Sequence, residues 1–193
     1  MKGFRITDKL IIMFFKKEKI PNYLTIVRIL LVPVFLILFF NVNIEIAGIV
    51  FLIAGATDVI DGYIARKYNW VTDIGKLLDP LADKLMQISA IISLGIVERL
   101  PIWLIAFIFL KELGMIIGAA FILKRERVYV KSDWYGKLST VLLYIDVFLS
   151  IFMFGIVGKG AIWFLSALVL ISMAFSLVMY AIQAKKNIFD IKK

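Results

Sequence analysis

Neither cysteine nor histidine occurs anywhere in the 193 residues. Without cysteine there is no disulfide, no thiolate nucleophile and no cysteine-ligated zinc. Without histidine the usual general base and the commonest transition-metal ligand are also gone. Proton transfer or metal binding must then fall to carboxylates, lysine, tyrosine or water. Acidic residues are sparse as well, 14 against 23 Lys and Arg, for a net charge of +9. Charged residues make up 19% of the chain and hydrophobic ones 62%. A soluble domain carries about 25% charged and about 45–50% apolar residues, so this composition is that of an integral membrane protein, and its segments of helical spanning length make the expected fold an all-α integral membrane protein. In so apolar a chain the basic excess points to anionic lipid headgroups and not to nucleic acid.

What is present is long apolar stretches. Six segments have spanning length, near 22–40, 44–66, 75–97, 101–124, 135–157 and 160–183. Each approaches the roughly 20 helical residues that a hydrocarbon core requires. Pro21 and Pro101 sit where proline suits the first turn of a helix. The connections are short, so neighbouring helices are expected to run antiparallel. The stretch Leu10 to Phe15 is too short to span and is followed by Lys16, Lys17 and Lys19, with no small-residue cleavage site. Residues 1–19 are therefore expected to form a short interfacial amphipathic helix, capped by Thr7 or Asp8, and 20–193 a six-helix bundle forming a single domain with it.

Basic residues alternate along the chain. Residues 41–43 carry none, and the other two connections on that side carry only Arg99 and Lys159. The opposite side holds Lys2, Arg5, Lys9 and the Lys16–Lys19 cluster, then Arg66, Lys67 and Lys76, then Lys124, Arg125, Arg127 and Lys131, and finally Lys185, Lys186, Lys192 and Lys193. The positive-inside rule puts both termini and the 66–76 turn in the cytoplasm.

One stretch breaks the apolar pattern: DVIDGYIARKYNWVTDIGKLLDPLAD, residues 58–83. Asp58, Asp61 and Gly62 lie at i, i+3 and i+4, on one face at the end of the second helix. Gly75, Asp79 and Asp83 lie at i, i+4 and i+8 on one face of the third. A hairpin would let the two aspartate pairs face each other. Ionised carboxylates at a membrane boundary cost several kcal/mol unless paired or bound. Oxygen-only acidic ligands select hard cations, Mg²⁺, Mn²⁺ or Ca²⁺, and two such ions would balance four negative charges. Gly62 and Gly75 let a ligand or another backbone approach, and Arg66 offers a fork suited to phosphate. The bland alternative for any one aspartate is helix capping or a salt bridge to Arg66, Lys76 or Lys84. That account does not explain four of them at these gaps.

The pattern Asp58-x2-Asp61-Gly62-x2-Ala65-Arg66-x8-Gly75-x3-Asp79-x3-Asp83 resembles the signature of the CDP-alcohol phosphatidyltransferases, with all eight fixed residues at the right gaps over 26 positions. The resemblance implies an N-terminal interfacial helix, six transmembrane helices, a homodimer, and a cytoplasm-facing site. It implies that Asp58, Asp61 and Asp79 ligate a binuclear Mg²⁺ or Mn²⁺ site that holds the diphosphate of CDP-diacylglycerol. It implies that Asp83, also close to a metal, is the general base. Gly62, Ala65, Arg66, Thr72 and Gly75 would contact the CDP-lipid. The upstream run IPNYLTIVR resembles the family's nucleotide-binding segment, which brings in Asn22 and Thr25. The acceptor hydroxyl would attack the phosphorus on the lipid side, with CMP leaving.

For the acceptor, the candidates are Lys111, Arg125 and Lys137. Lys111 lies within an apolar span beside Glu112, where an ionisable residue is a functional candidate or else part of a pair that holds helices together. Lys137 opens a helix on the cytoplasmic side, suited to a phosphate-bearing acceptor, or else faces lipid headgroups. The runs YGKLST and LKELG resemble the glycerol-phosphate and cardiolipin branches of the family. The glycerol-phosphate branch commonly has an Arg-Glu-Phe run with a second arginine eight residues on; here the run is Lys111-Glu112-Leu113 and the later position is Ala119. Glycerol 3-phosphate is the first expectation and phosphatidylglycerol the alternative. A cation or proton transporter, the rival from another class, would spread carboxylates through the bilayer depth. Here four bunch near one face, and Asp146 alone lies deep.

The topology is open to a direct check, because the chain has no native cysteine to confuse the readout. Single cysteines at Val42 and Lys159 should react with an impermeant thiol reagent added outside intact cells, and one at Trp70 should not. The reverse pattern would overturn the orientation.

Overall fold

The computed structural model describes residues 20–68, 70, 73–123 and 134–190. The expected interfacial helix, residues 1–19, lies outside them. All regular structure among the described residues is helical: α1 (Ile20–Asn41), α2 (Ile44–Tyr68), α3 (Asp73–Ile96), α4 (Ile102–Leu123), α5 (Trp134–Phe152), α6 (Phe154–Val157) and α7 (Lys159–Asp190). The helices form two compact units, Met1–Ala90 and Ile91–Lys193. Three helical stretches are long and apolar enough to cross a membrane, Tyr23–Asn41, Trp134–Phe152 and Lys159–Gln183. The other expected spans are also continuous helices, α2, α3 and α4, of 25, 24 and 22 residues.

In the first unit α1 packs along α2. Asn41 ends α1 by donating from Nδ2 to the Ile37 carbonyl at 3.1 Å. Asn43 caps α2, its Oδ1 accepting from the amides of Glu45 and Ile46 at 2.6 and 3.1 Å, as a side-chain acceptor does for otherwise unpaired first-turn donors. The contact faces follow helical spacing. On α1, Thr25, Arg28, Phe35 and Phe39 form one buried stripe; on α2, Ala47, Phe51 and Ala54 do the same. Phe35 meets Phe51 with ring centroids 6.3 Å apart and Phe39 at 5.6 Å. Asp58 and Asp61 continue the α2 stripe at i+4 and i+7 from Ala54. The same face that buries alanine and phenylalanine at one end therefore carries carboxylates at the other.

In the second unit α5 and α7 pack together, with α4 also against α7. The α7 stripe runs Ile162, Ser166, Val169, Met173 and Ser176; that of α5 includes Tyr135, Ser139, Leu143, Asp146, Val147 and Ser150. Small serines on both faces allow close backbone approach, the usual basis of helix packing in lipid. Asp146 is fully buried, and its Oδ2 accepts from the Ser166 hydroxyl at 2.7 Å. Large apolar side chains on the outside, such as Leu30, Ile37, Leu110 and Phe164, stay exposed, as a surface in contact with lipid requires.

The expected fifth span, 135–157, is not one helix. It breaks at Met153 into α5 and α6. The cause is Arg99, whose Nη1 donates to the carbonyls of Ser150 and Ile151 at 2.9 Å each. Those two oxygens would otherwise accept from the next turn of α5, so the guanidinium ends the helix in the manner of a C-terminal cation. Gly158 then turns the chain at φ 81, a conformation that only glycine adopts easily. The last helix is longer than the apolar segment at 160–183, running on through Lys185 and Lys186 to Asp190.

α5 and α7 approach closely at Gly136, where an added Cβ would collide with the Tyr180 hydroxyl. Tyr180 is itself held edge-on by Tyr135, centroids 5.0 Å apart. Gly136→Ala should cost about 1–3 kcal/mol by overpacking. Tyr180→Phe, which removes the colliding oxygen, should recover part of that loss. Thermal unfolding of the two single variants and the double variant in detergent would show it as a non-additive cycle.

Candidate active site

An arginine and a threonine on α1 organise the acidic stretch. Thr25 and Arg28 lie three residues apart, on one face of the helix, and both are buried. Arg28 Nη1 donates to Asp58 Oδ1 and Nη2 donates to Asp61 Oδ2, each at 2.5 Å. The Thr25 hydroxyl donates to Asp79 Oδ1 on α3, also at 2.5 Å. One helix thus holds aspartates from two others. Among the four carboxylates, Asp79 and Asp83 lie close enough to Asp58 to repel it, and Asp58 and Asp79 close enough to Asp61. Like charges at this spacing separate unless a cation lies between them. The Arg28 guanidinium supplies one.

The local sequence explains the arrangement. Arg28 is the one charged residue in the helical run 20–41. A buried guanidinium is costly unless paired, so α1 packs where α2 offers two carboxylates. On α3, Pro80 follows Asp79 directly. Proline cannot donate to the carbonyl four residues back, so the backbone ladder lacks its rung between Lys76 and residue 80, in the turn that carries Asp79.

Of the expected site residues, Asp58, Asp61, Asp79 and Thr25 are joined through these contacts, and Asp83 stands within electrostatic reach of Asp58. Thr25 meets an aspartate, where the sequence placed it on the nucleotide side. Gly62 is half-buried on α2 and Gly75 is buried on α3. The backbone places Asn22 in the first turn of α1 and Ala65 and Arg66 near the end of α2. Thr72 and Arg125 lie outside the described residues. Lys137 is exposed in the first turn of α5, and Lys111, on α4, is half-buried with its Nζ 3.4 Å from Glu112. Arg28 was passed over by the motif pattern. The signal that could have found it is plain: a lone charge on an apolar helix, one turn from Thr25.

The donor chemistry fits a hard divalent cation. Every candidate ligand is a carboxylate oxygen, and the carboxylates are near enough to share charge. Among the described residues no three acidic side chains form a group that could enclose a single metal ion. The oxygens of Asp58, Asp61 and Asp79 named above are engaged by Arg28 and Thr25 instead.

Comparison with known proteins agrees with the motif. Residues 18–185 match the CDP-alcohol phosphatidyltransferase family. A protein of Rickettsia typhi named CDP-diacylglycerol–glycerol-3-phosphate 3-phosphatidyltransferase is 38% identical over 152 residues, covering 76% of this chain and 82% of that protein. Proteins of the same name from Bacillus subtilis and Haemophilus influenzae are 36% and 37% identical, covering 63% and 64% of this chain and 70% of each of those proteins. The matched region takes in the whole of the 58–83 stretch together with Thr25 and Arg28, and the chain belongs to the CDP-alcohol phosphatidyltransferase family, a membrane transferase of phospholipid biosynthesis.

Proposed function

We propose that this protein transfers the phosphatidyl group of CDP-diacylglycerol to glycerol 3-phosphate, giving phosphatidylglycerophosphate and CMP. The observation that carries the reading is the complete eight-residue acidic pattern, three of whose aspartates are tied to one buried face of α1. The relatives' names supply the acceptor. Asp58, Asp61, Asp79 and Asp83 would hold two Mg²⁺ or Mn²⁺ ions. When bound, such ions supply positive charge for the diphosphate and for the departing CMP oxygen.

The chain's own groups do the rest. Asp83 takes the proton of the acceptor hydroxyl as that oxygen forms its bond to the lipid-side phosphorus. The bond from that phosphorus to CMP breaks, and CMP leaves with the electron pair. No histidine or cysteine is present to form a covalent intermediate, so direct displacement is the simpler path. Gly62, Ala65, Arg66, Thr72, Gly75 and Asn22 form the CDP-lipid side. Lys137, with Lys111 and Arg125, forms the acceptor side. Support for Lys137 is its exposed place in the first turn of α5.

The remaining architecture is proposed on the same footing: one domain of six spans behind an interfacial helix, with both termini and the site on the cytoplasmic side of the cell membrane. The charge asymmetry supports the orientation, and the resemblance alone supports a homodimer.

Purified protein offered CDP-diacylglycerol should release CMP with glycerol 3-phosphate, and not with serine or inositol phosphate. Turnover with phosphatidylglycerol in place of glycerol 3-phosphate would make it a cardiolipin synthase instead. Asp58→Asn, Asp61→Asn or Asp79→Asn should each nearly abolish turnover, because a neutral amide is a poorer ligand for a hard cation. Chelation should do the same, with Mg²⁺ or Mn²⁺ restoring it; full activity in excess chelator would exclude the metal.

Base and acceptor contacts separate kinetically. Asp83→Asn should lower kcat about 10²–10⁴-fold while CDP-lipid still binds. Lys137→Ala should raise the acceptor KM, about 10- to 100-fold for a charge-assisted contact of about 1.5–3 kcal/mol. Weakened CDP-lipid binding with an unchanged acceptor KM would move Lys137 to the donor side.

A further inference from the structure

Arg28 stands outside the signature, yet it is the bulkiest of the fully buried side chains among the described residues. Its fork takes one oxygen from each of two carboxylates, while its Nε is buried with no hydrogen-bond partner. Net stabilisation would be a poor reason for such a residue. Buried ion pairs are often no more stabilising than apolar side chains of similar volume, and an unpaired buried donor adds a further cost. The α1–α2 contact already has an apolar join in Phe35, Phe39 and Phe51.

The geometry allows something an apolar residue could not do. Asp58 and Asp61 lie one turn apart on α2, carry like charge, and would otherwise rotate away from each other. The spacing between Nη1 and Nη2 is fixed by the planar guanidinium. Bridging the two carboxylates therefore fixes their separation, and one oxygen of each remains outside the fork. Thr25, on the same face of α1, holds Asp79 of α3 in the same way.

We propose that Arg28 is a positioning residue: its fork orients Asp58 and Asp61 and thereby sets the affinity of the acidic site for a hard divalent cation, through geometry and not through charge alone. The proposal rests on the reading of Asp58 and Asp61 as cation ligands. Lysine at this position would keep the charge but lack the two nitrogens at fixed spacing.

The test uses full-length protein in detergent and Mn²⁺ as the probe, with free Mn²⁺ followed by electron paramagnetic resonance. Arg28→Lys should weaken Mn²⁺ binding about 10- to 100-fold, the usual loss when a residue that orients a metal ligand is changed. With Mn²⁺ at saturation, CMP release should fall in kcat, with the KM for CDP-diacylglycerol unchanged and the thermal unfolding temperature close to that of the parent. In an Asp58→Asn background, Arg28→Lys should add little further, because the two residues act as one unit. Arg28→Gln, which loses both charge and fork, should bind Mn²⁺ no better than Arg28→Lys.

Parental Mn²⁺ affinity in Arg28→Lys would show that charge alone suffices and would overturn the proposal. Tighter Mn²⁺ binding in either variant would make Arg28 a competitor of the cation, which also overturns it. If neither variant folds, Arg28 is a structural residue and the proposal fails. Absence of Mn²⁺ binding by the parent protein would remove the cation reading and this proposal together, whereas parental binding with an unaltered Arg28→Lys would remove only the proposal.

Discussion

The buried guanidinium of Arg28 is the constraint around which the first unit is arranged. A charge on an otherwise apolar helix has to find opposite charge or remain in water. Here it finds Asp58 and Asp61, each at 2.5 Å. That requirement fixes the register of α1 against α2 more sharply than the phenylalanines do, because apolar contacts tolerate a shift that an ion pair does not. With α1 held in that register, Thr25 falls opposite Asp79, and the acidic residues of α2 and α3 come to share one neighbour.

The second unit solves a similar problem differently. Asp146 is buried on α5, and its Oδ2 is met by the Ser166 hydroxyl from α7. Serines at 139, 150, 166 and 176 line the same helix faces. In lipid, where apolar side chains gain little by meeting each other, small residues and a few polar contacts provide the attraction between helices. At the opposite ends, Arg99 closes α5 by taking the Ser150 and Ile151 carbonyls, and Lys159 pairs with Glu98 at 2.9 Å. Arg99 and Lys159, the two cations of the connections expected outside, thus have specific partners, while the expected cytoplasmic cations form clusters along the chain.

Catalysis in such a protein draws on the same physics. The groups that make the acidic stretch costly to bury are the groups able to bind cations and to accept a proton. The Thr25 hydroxyl, which donates to Asp79 Oδ1, distinguishes the settings of two carboxylates that the helical repeat alone would make equivalent. One of them is tied to α1 by Thr25. The other, Asp83, lies one turn further along the same helix.

The sequence by itself determined that the chain is helical, that it belongs to a membrane, and that it carries the eight-residue family pattern. Those properties are local: hydropathy over about 20 residues sets a span, and the spacing of Asp58, Asp61, Asp79 and Asp83 sets which helix faces they occupy. Helix positions read from apolar runs agree closely with α1 to α4, because in those runs the backbone's own hydrogen bonds leave no alternative in lipid. Tertiary structure alone decided what each polar group meets. The pairing of Arg28 with two aspartates 30 and 33 residues away, the turn of Thr25 toward Asp79, and the break at Met153 imposed by Arg99 all depend on side chains distant in the chain. No periodicity encodes such a meeting. It arises because a buried charge or an open carbonyl must be satisfied by whatever the packing brings within reach.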